Sequence, residues 1–146
     1  MIVKLAEMEL QSRAPHELID ITPEVERVVK ESGVQNGLVN VLTNHVSSGI
    51  IVTEGLECLE RDILAYLDRI APDDPGDNSY HHNRYLRGDG RLGFNAGAHL
   101  KSILGGISAH FIVKDGQILK GSRQRVYFAE YDGPLHRTYC IQVIGE

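Results

Sequence analysis

Apolar and polar residues alternate from Ile2 to Gln11, the two-residue period of a half-buried strand. The period then changes. Thr22-Pro23-Glu24 reads as an N-cap, an N1 proline and an acidic first turn, Val25, Val28 and Val29 make an apolar helical stripe, and Gly33 stops it. Gly37 to Asn44 and Ile50 to Thr53, rich in Val, Leu and Ile, predict strands. The strongest helical pattern runs from Glu54 to Ile70. There Leu56, Leu59, Ile63, Tyr66, Leu67 and Ile70 fall on one stripe, expected to be buried, with Asp62 at its edge. A polar connection follows, from Pro72-Asp73-Asp74-Pro75-Gly76-Asp77-Asn78 through Gly88-Asp89-Gly90, and loops of that length are commonly functional or disordered. Asn95 is the predicted N-cap of a short helix, Ala96 to Leu104, closed by Gly105-Gly106. Its spacing places Ala96, His99, Leu100 and Ile103 on one face and turns His99 inward. The remainder reads as a β-meander. Ser108 to Val113 and Gln117 to Leu119 flank a primed Lys114-Asp115-Gly116 turn, and Arg125 to Tyr131 and Thr138 to Ile144 flank Asp132-Gly133-Pro134. The sum is a single α+β domain over residues 1–146, with several antiparallel strands and about three helices.

Composition narrows the functions open to this fold. A net charge of −5 argues against a general nucleic-acid binder, and no apolar run approaches the roughly 20 residues of a membrane span. The first residues lack the apolar core of a signal peptide, so a cytoplasmic protein with neither nucleic acid nor membrane as partner is expected. Cys58 and Cys140 have no metal-motif spacing and are expected to be reduced and interior. Charge is unevenly spread: Glu7 to Glu31 is acidic, whereas Arg84, Arg87, Arg91, Lys101, Lys120, Arg123, Arg125 and Arg137 make the second half basic. Solvated faces account for this, and so does a pocket for a small anion such as phosphate or pyrophosphate.

Three groups carry candidate chemistry. His45 ends a predicted strand before Val46-Ser47-Ser48-Gly49, where Ser47 and Ser48 offer hydroxyls to an anion, with Glu54 downstream; a serine-capped turn beside a surface histidine explains the same residues. His81, His82, Asn95 and His99 form the second group. Neutral imidazoles suit Zn²⁺ and protonated ones suit phosphate, although the spacing is no standard zinc signature. The third is Gly121-Ser122-Arg123-Gln124 with Glu130-Tyr131-Asp132-Gly133-Pro134, where Glu130 and Arg137 are placed to form a cross-strand ion pair near a turn. No phosphate-binding loop, dinucleotide fingerprint or nucleophile elbow occurs, so no nucleotide or redox cofactor is expected.

Taken in order, these residues resemble the YjbQ-like family, whose members carry the designation secondary thiamine-phosphate synthase. The family pattern runs His-Thr-Thr-Ala-Gly, a Glu nine residues after the His, an Asp on the next helix, Tyr-x-His-Asp/Asn, Asn-Ala-x-Ala-His-Leu-Lys, Gly-x-Trp-Gln and Glu-x-Asp-Gly-Pro-Arg-x-Arg. This chain supplies His45-Val46-Ser47-Ser48-Gly49, Glu54, Asp62, Tyr80-His81-His82-Asn83, Asn95-Ala96-Gly97-Ala98-His99-Leu100-Lys101, Gly121-Ser122-Arg123-Gln124 and Glu130-Tyr131-Asp132-Gly133-Pro134. It departs at Val46 and Ser47 in place of two threonines, at Arg123 in place of Trp, and at Leu135 in place of the first Arg, while Arg137 keeps the second. Its Glu54 to Asp62 interval is also one residue short.

The resemblance implies an antiparallel β-sandwich with helices packed on it, assembled as a homotrimer. It implies one pocket holding His45, His82 and His99, with Glu54, Asp62, Asn95 and Gln124 nearby, suited either to a divalent metal (Zn or Mg) or to an anion. Three functions follow as expectations. In the first, a transferase joins a pyrimidine-methyl pyrophosphate to a thiazole phosphate; Lys101, Arg137 and His99 hold phosphates, and Glu54 or Asp62 holds metal or orients the pyrimidine. In the second, a hydrolase uses a zinc-bound water with Glu54 as base. In the third, a non-catalytic trimer holds a small anionic or phosphorylated ligand. The candidate site comprises His45, Glu54, Asp62, His99 and Gln124 for catalysis, Ser47, Ser48, Asn95, Lys101, Glu130 and Arg137 for the substrate or phosphate, and His45, His82 and His99 for a metal.

Overall fold

The opening alternation forms β1 (Ile2–Gln11), with Ala6, Met8 and Leu10 against the core and Val3, Leu5, Glu7 and Glu9 outward. The computed structural model describes residues 1–73 and 80–146, so Asp74, Pro75, Gly76, Asp77 and Asn78 of the predicted connection lie outside the described residues. After β1 come β2 (Glu17–Asp20), α1 (Thr22–Ser32), β3 (Asn36–Leu42), β4 (Ser48–Glu54), α2 (Glu57–Ile70), α3 (His81–Tyr85), a 3-10 turn (Gly90–Phe94) and α4 (Ala96–Gly105). Four strands complete the chain: β5 (Ser108–Lys114), β6 (Gln117–Ile118), β7 (Gln124–Glu130) and β8 (His136–Gly145).

All the strand pairings are antiparallel, in two sheets: β1-β8-β3-β5-β6 and β2-β7-β4. The main core lies between them. Val39 and Val41 of β3, Ile141 and Val143 of β8, Ile50 of β4, and Val126 and Phe128 of β7 meet there, joined by Val25, Val28 and Val29 of α1. A smaller cluster, with Leu67, Ala98, Tyr127, Ala129 and Tyr131, joins α2 and α4 to the far face of the three-stranded sheet.

Local rules hold at several ends. Gly33 closes α1 at φ 75°, and Asp115 and Gly116 both take positive φ (52° and 76°) between β5 and β6, as a primed turn requires. Elsewhere long-range packing overrides them. The meander does not form, because β7 and β8 belong to different sheets and the Asp132-Gly133-Pro134 turn carries the chain from one to the other. Thr22 does not cap α1: its hydroxyl accepts the Val126 N–H (2.8 Å), which ties the helix start to β7. The short β2 lacks a sequence signal and exists because β7 pairs with it.

On α2 only Leu67 of the predicted stripe is buried, while Leu56, Tyr66 and Ile70 are exposed. α4 is turned further from expectation. It buries Ala96, Gly97, Ala98, Lys101 and Ser102 and leaves Leu100, Ile103 and Leu104 outside, Ile103 at 77 % exposure. Cys58 is exposed rather than interior and Cys140 is half-buried; both are free thiols.

Candidate functional site

The Asn95–Lys101 motif is the hub on which α4 is mounted. Its first amide, Ala96 N–H, donates to the side-chain Oδ1 of Asn83 (3.1 Å), so Asn83 rather than Asn95 caps the helix. Asn95 points its own Nδ2 to Asp132 Oδ2 (3.2 Å), and Arg91 donates to both the side chain and the backbone carbonyl of Asp132. Gly97 leaves room for the Pro72–Asp73 backbone, since a Cβ here would collide with the Pro72 carbonyl. One turn on, Lys101 is 1 % exposed, with Nζ 2.9 Å from Asp73 Oδ1 and 3.5 Å from Asp68 Oδ1. Among the described residues, His16, Asp68 and Asp73 are the one group of three whose possible metal-ligand atoms lie within 4.8 Å of one another. Lys101 already supplies a cation to that group.

His99 faces the other way, into a pocket of about 510 Å³ lined by Thr43, His45, Val46, His82, Ser102 and Ile103, among others. Hydrogen bonds settle what each imidazole offers. The Val46 carbonyl can only accept, so His99 donates from Nδ1 (3.0 Å), the tautomer that in a neutral ring leaves the lone pair on Nε2. His82 is 3.2 Å from Asn83 Oδ1 through Nδ1; that oxygen is identified by the Ala96 N–H it accepts, so His82 has the same tautomer. The two rings meet edge to face with centroids 5.0 Å apart. His45 differs. Its Nε2 accepts the Thr138 N–H (3.2 Å) beside the Thr138 hydroxyl (3.0 Å), leaving Nδ1 as the protonated nitrogen. Burial, with the nearby Arg137 charge, holds His45 below the ordinary imidazole range, which favours this neutral form.

The remaining expected residues lie elsewhere in the chain. Glu130 is fully buried and takes Arg137 in a two-point pair (Nε to Oε2 2.8 Å, Nη2 to Oε1 2.6 Å). Because β7 and β8 lie in different sheets, this pair bridges the sandwich instead of crossing a hairpin. Ser12 Oγ and the Asp132 N–H complete the Glu130 carboxylate, and Ser47 Oγ accepts from Arg137 (2.8 Å). Ser48 is fully buried, bonding Thr43 Oγ1 (2.8 Å) and the His45 carbonyl (2.9 Å). Glu54 and Gln124 pair at the opposite end of the three-stranded sheet, six residues or about 20 Å along β4 from Ser48. Glu54 there meets the exposed Arg123 (3.2 Å), Gln124 Oε1 accepts the Gly121 N–H, and Asp62 is exposed on α2. His81 lies on the surface, where Arg84 donates to its Nδ1. One chain therefore gathers His45, His82 and His99 and does not bring Glu54, Asp62 or Gln124 to them.

Asn83, Thr138 and Asp73 are the site-forming residues that sequence reasoning passed over. Asn83 fills the Asp/Asn position of the Tyr80-His81-His82-Asn83 motif, and that position was its signal.

The family model described as UPF0047 protein YjbQ-like matches residues 6–146. A UPF0047 protein of Methanothermobacter thermautotrophicus is 36% identical over 146 residues, covering 100% of this chain and 95% of that one. Among solved structures, a hypothetical protein of Aeropyrum pernix superimposes with a TM-score of 0.87 at 28% identity, over 98% of this chain and 99% of that one. An uncharacterized conserved protein of the YjbQ/UPF0047 family from Clostridium acetobutylicum does so with a TM-score of 0.83 at 34% identity, over 95% and 99%.

Proposed function

The chain belongs to the UPF0047 YjbQ-like family, and on that footing we propose that its histidine pocket holds a divalent transition-metal ion through His82 and His99 and acts with it on a small ligand. The observation that carries this reading is the shared tautomer of the two rings, each anchored through Nδ1 with Nε2 left as a lone pair. Two imidazoles on one tetrahedral ion, at Zn–N of about 2.1 Å, would place their ring centroids roughly 5 Å apart, as these are. A purely nitrogen donor pair suits Zn, Ni, Co or Cu; Mg²⁺ prefers oxygen, and among the described residues no carboxylate lines the pocket. His45 is not a third ligand on this reading, because the Thr138 N–H takes up its Nε2 lone pair. It serves as a donor at the pocket wall. A bound ion would supply Lewis acidity and an acidified water, which is hydrolase-type chemistry. The transferase reading needs free cations for pyrophosphate, whereas Lys101 and Arg137 are both ion-paired.

Protein purified without chelator or histidine tag should carry close to one equivalent of such a metal by elemental analysis. His82→Ala and His99→Ala should each weaken Zn²⁺ binding by more than the roughly 10–100-fold that losing an outer-shell partner brings, with His45→Ala affected least. Zn²⁺, Ni²⁺ and Co²⁺ titrations showing no binding to wild type, or binding in both alanine variants as tight as in wild type, would refute the proposal.

We also propose that the chain assembles as a homotrimer through its outward sheet face. Val3, Ile144, Leu38 and Ile112 lie opposite one another across four neighbouring strands and form an unbroken apolar row pointing away from the core. Val3, Leu38 and Ile112 are more than half exposed, and Leu100, Ile103, Leu104 and Ile107 extend the apolar surface past the pocket. In such an assembly a neighbouring copy is the route by which Glu54 and Gln124 could reach this pocket. Sedimentation should give three times the 16.2 kDa of one chain, and Leu38→Glu with Ile112→Glu should yield monomer. A wild-type monomer at micromolar concentration would contradict the assembly.

A further inference from the structure

We propose that Asn83 is the positioning residue of the histidine pocket, a tautomer lock for His82 whose carboxamide oxygen fixes the ring without placing a charge behind it. The proposal deepens the metal reading, yet its first readout does not depend on a metal.

Asn83 is fully buried between α3 and the start of α4. Its Oδ1 serves two donors, the Ala96 N–H at 3.1 Å and His82 Nδ1 at 3.2 Å. The backbone amide cannot accept, so it fixes which end of the carboxamide is oxygen, and that oxygen in turn obliges Nδ1 of His82 to carry the proton. The rigid start of α4 thereby sets the direction of a lone pair on α3. For His99 the backbone carbonyl of Val46 does the equivalent work. A side chain is needed only at His82.

The other end of the amide shows that this is more than packing. Asn83 Nδ2 is buried with no hydrogen-bond partner among the described residues. An orphaned buried donor is destabilising, and native folds retain few of them. Aspartate would accept the same two bonds and leave no orphan donor, but it would bury a negative charge that faces only neutral donors. What the amide adds is the same lock with no charge placed behind the ring.

The test uses the full-length protein, ¹⁵N-labelled and metal-free, with the tautomer of His82 read from its ring-nitrogen chemical shifts and long-range couplings at neutral pH. Wild type should show a protonated Nδ1 and a bare Nε2. Asn83→Asp should keep that tautomer with a Tm below wild type, the cost of the buried charge. Asn83→Leu should shift the tautomer ratio at least tenfold toward Nε2–H and weaken Zn²⁺ binding by roughly 10–100-fold. Wild-type His82 protonated on Nε2, or a ratio unmoved by Asn83→Leu, would overturn the lock. Failure of Zn²⁺ to bind wild type would overturn the metal reading while the tautomer result stood.

Discussion

Replacing Arg137 with methionine is expected to destabilise the fold by about 3–5 kcal/mol, the effect of stranding one member of a buried ion pair. At roughly 2–4 °C per kcal/mol for a domain of this size, Tm should fall by about 10 °C. The size of the effect follows from where Glu130 sits. It is fully buried at the end of β7, its partner is on β8, and those strands belong to different sheets, so the pair is a bolt through the sandwich. Burial pushes the Glu130 carboxyl up, but the Arg137 guanidinium, the Asp132 N–H and the Ser12 hydroxyl together hold it below its ordinary value. A carboxylate depressed in the folded state stabilises above its unfolded pKa, and that contribution is lost as pH falls through the folded one. The gap between wild type and variant should thus be full at pH 7 and shrink in acid. Urea unfolding at pH 7 and at low pH checks both statements. A loss below about 1 kcal/mol at pH 7 would put the pair in the class of surface ion pairs and remove its bridging role.

That pair also shows how far the sequence could be read. Glu130 and Arg137 were identifiable as partners from their place around Asp132-Gly133-Pro134, but a hairpin was the local default. What sends β8 into the other sheet is pairing with β1 and β3, more than 90 residues away along the chain, and no local signal encodes it. α4 teaches a second lesson. Periodicity locates an apolar stripe, and it does not say whether the stripe faces the chain's own core. Leu100 and Ile103 have the spacing of a buried face, yet Gly97 and Ala98 are what allow the helix backbone to approach Pro72 and the three-stranded sheet, so the apolar stripe is left outside. The histidines fared differently. Ordered motifs, rather than spacing, pointed to a common pocket for His45, His82 and His99, and one chain does line a pocket with all three. Their hydrogen-bond roles were beyond reach because they depend on the Thr138 N–H, the Val46 carbonyl and the Asn83 amide, supplied by three separate parts of the fold.

At the buried ammonium, Asp73→Asn should be the harsher change and Lys101→Met the milder one, although only the second removes the buried charge. Lys101 is 1 % exposed, whereas the side chains of Asp73 and Asp68 are about half exposed. Methionine matches most of the lysine stem, and the two carboxylates left behind can take up water, so the expected loss is about 1 kcal/mol or less. Asparagine at 73 keeps the ammonium sequestered with only Asp68, 3.5 Å away, as counter-ion, and removing the closer partner of a buried charge costs about 3 kcal/mol. The acid limb offers an independent check. Burial pushes the Asp73 carboxyl up, but the His16 ring 2.8 Å away and the hydrogen-bonded Lys101 ammonium hold it at about 2. Its contribution is therefore complete above the ordinary carboxylate value of about 4 and is lost as pH falls toward 2. Wild type should lose stability across that window, and the Asp73→Asn variant should lose less. Chemical denaturation of both variants across this range decides the matter. The reverse order, with Lys101→Met the worse of the two, would mean that the ammonium stabilises something other than Asp73 and Asp68, and that α4 is not held to the Pro72–Asp73 backbone in the way Gly97 and Lys101 indicate.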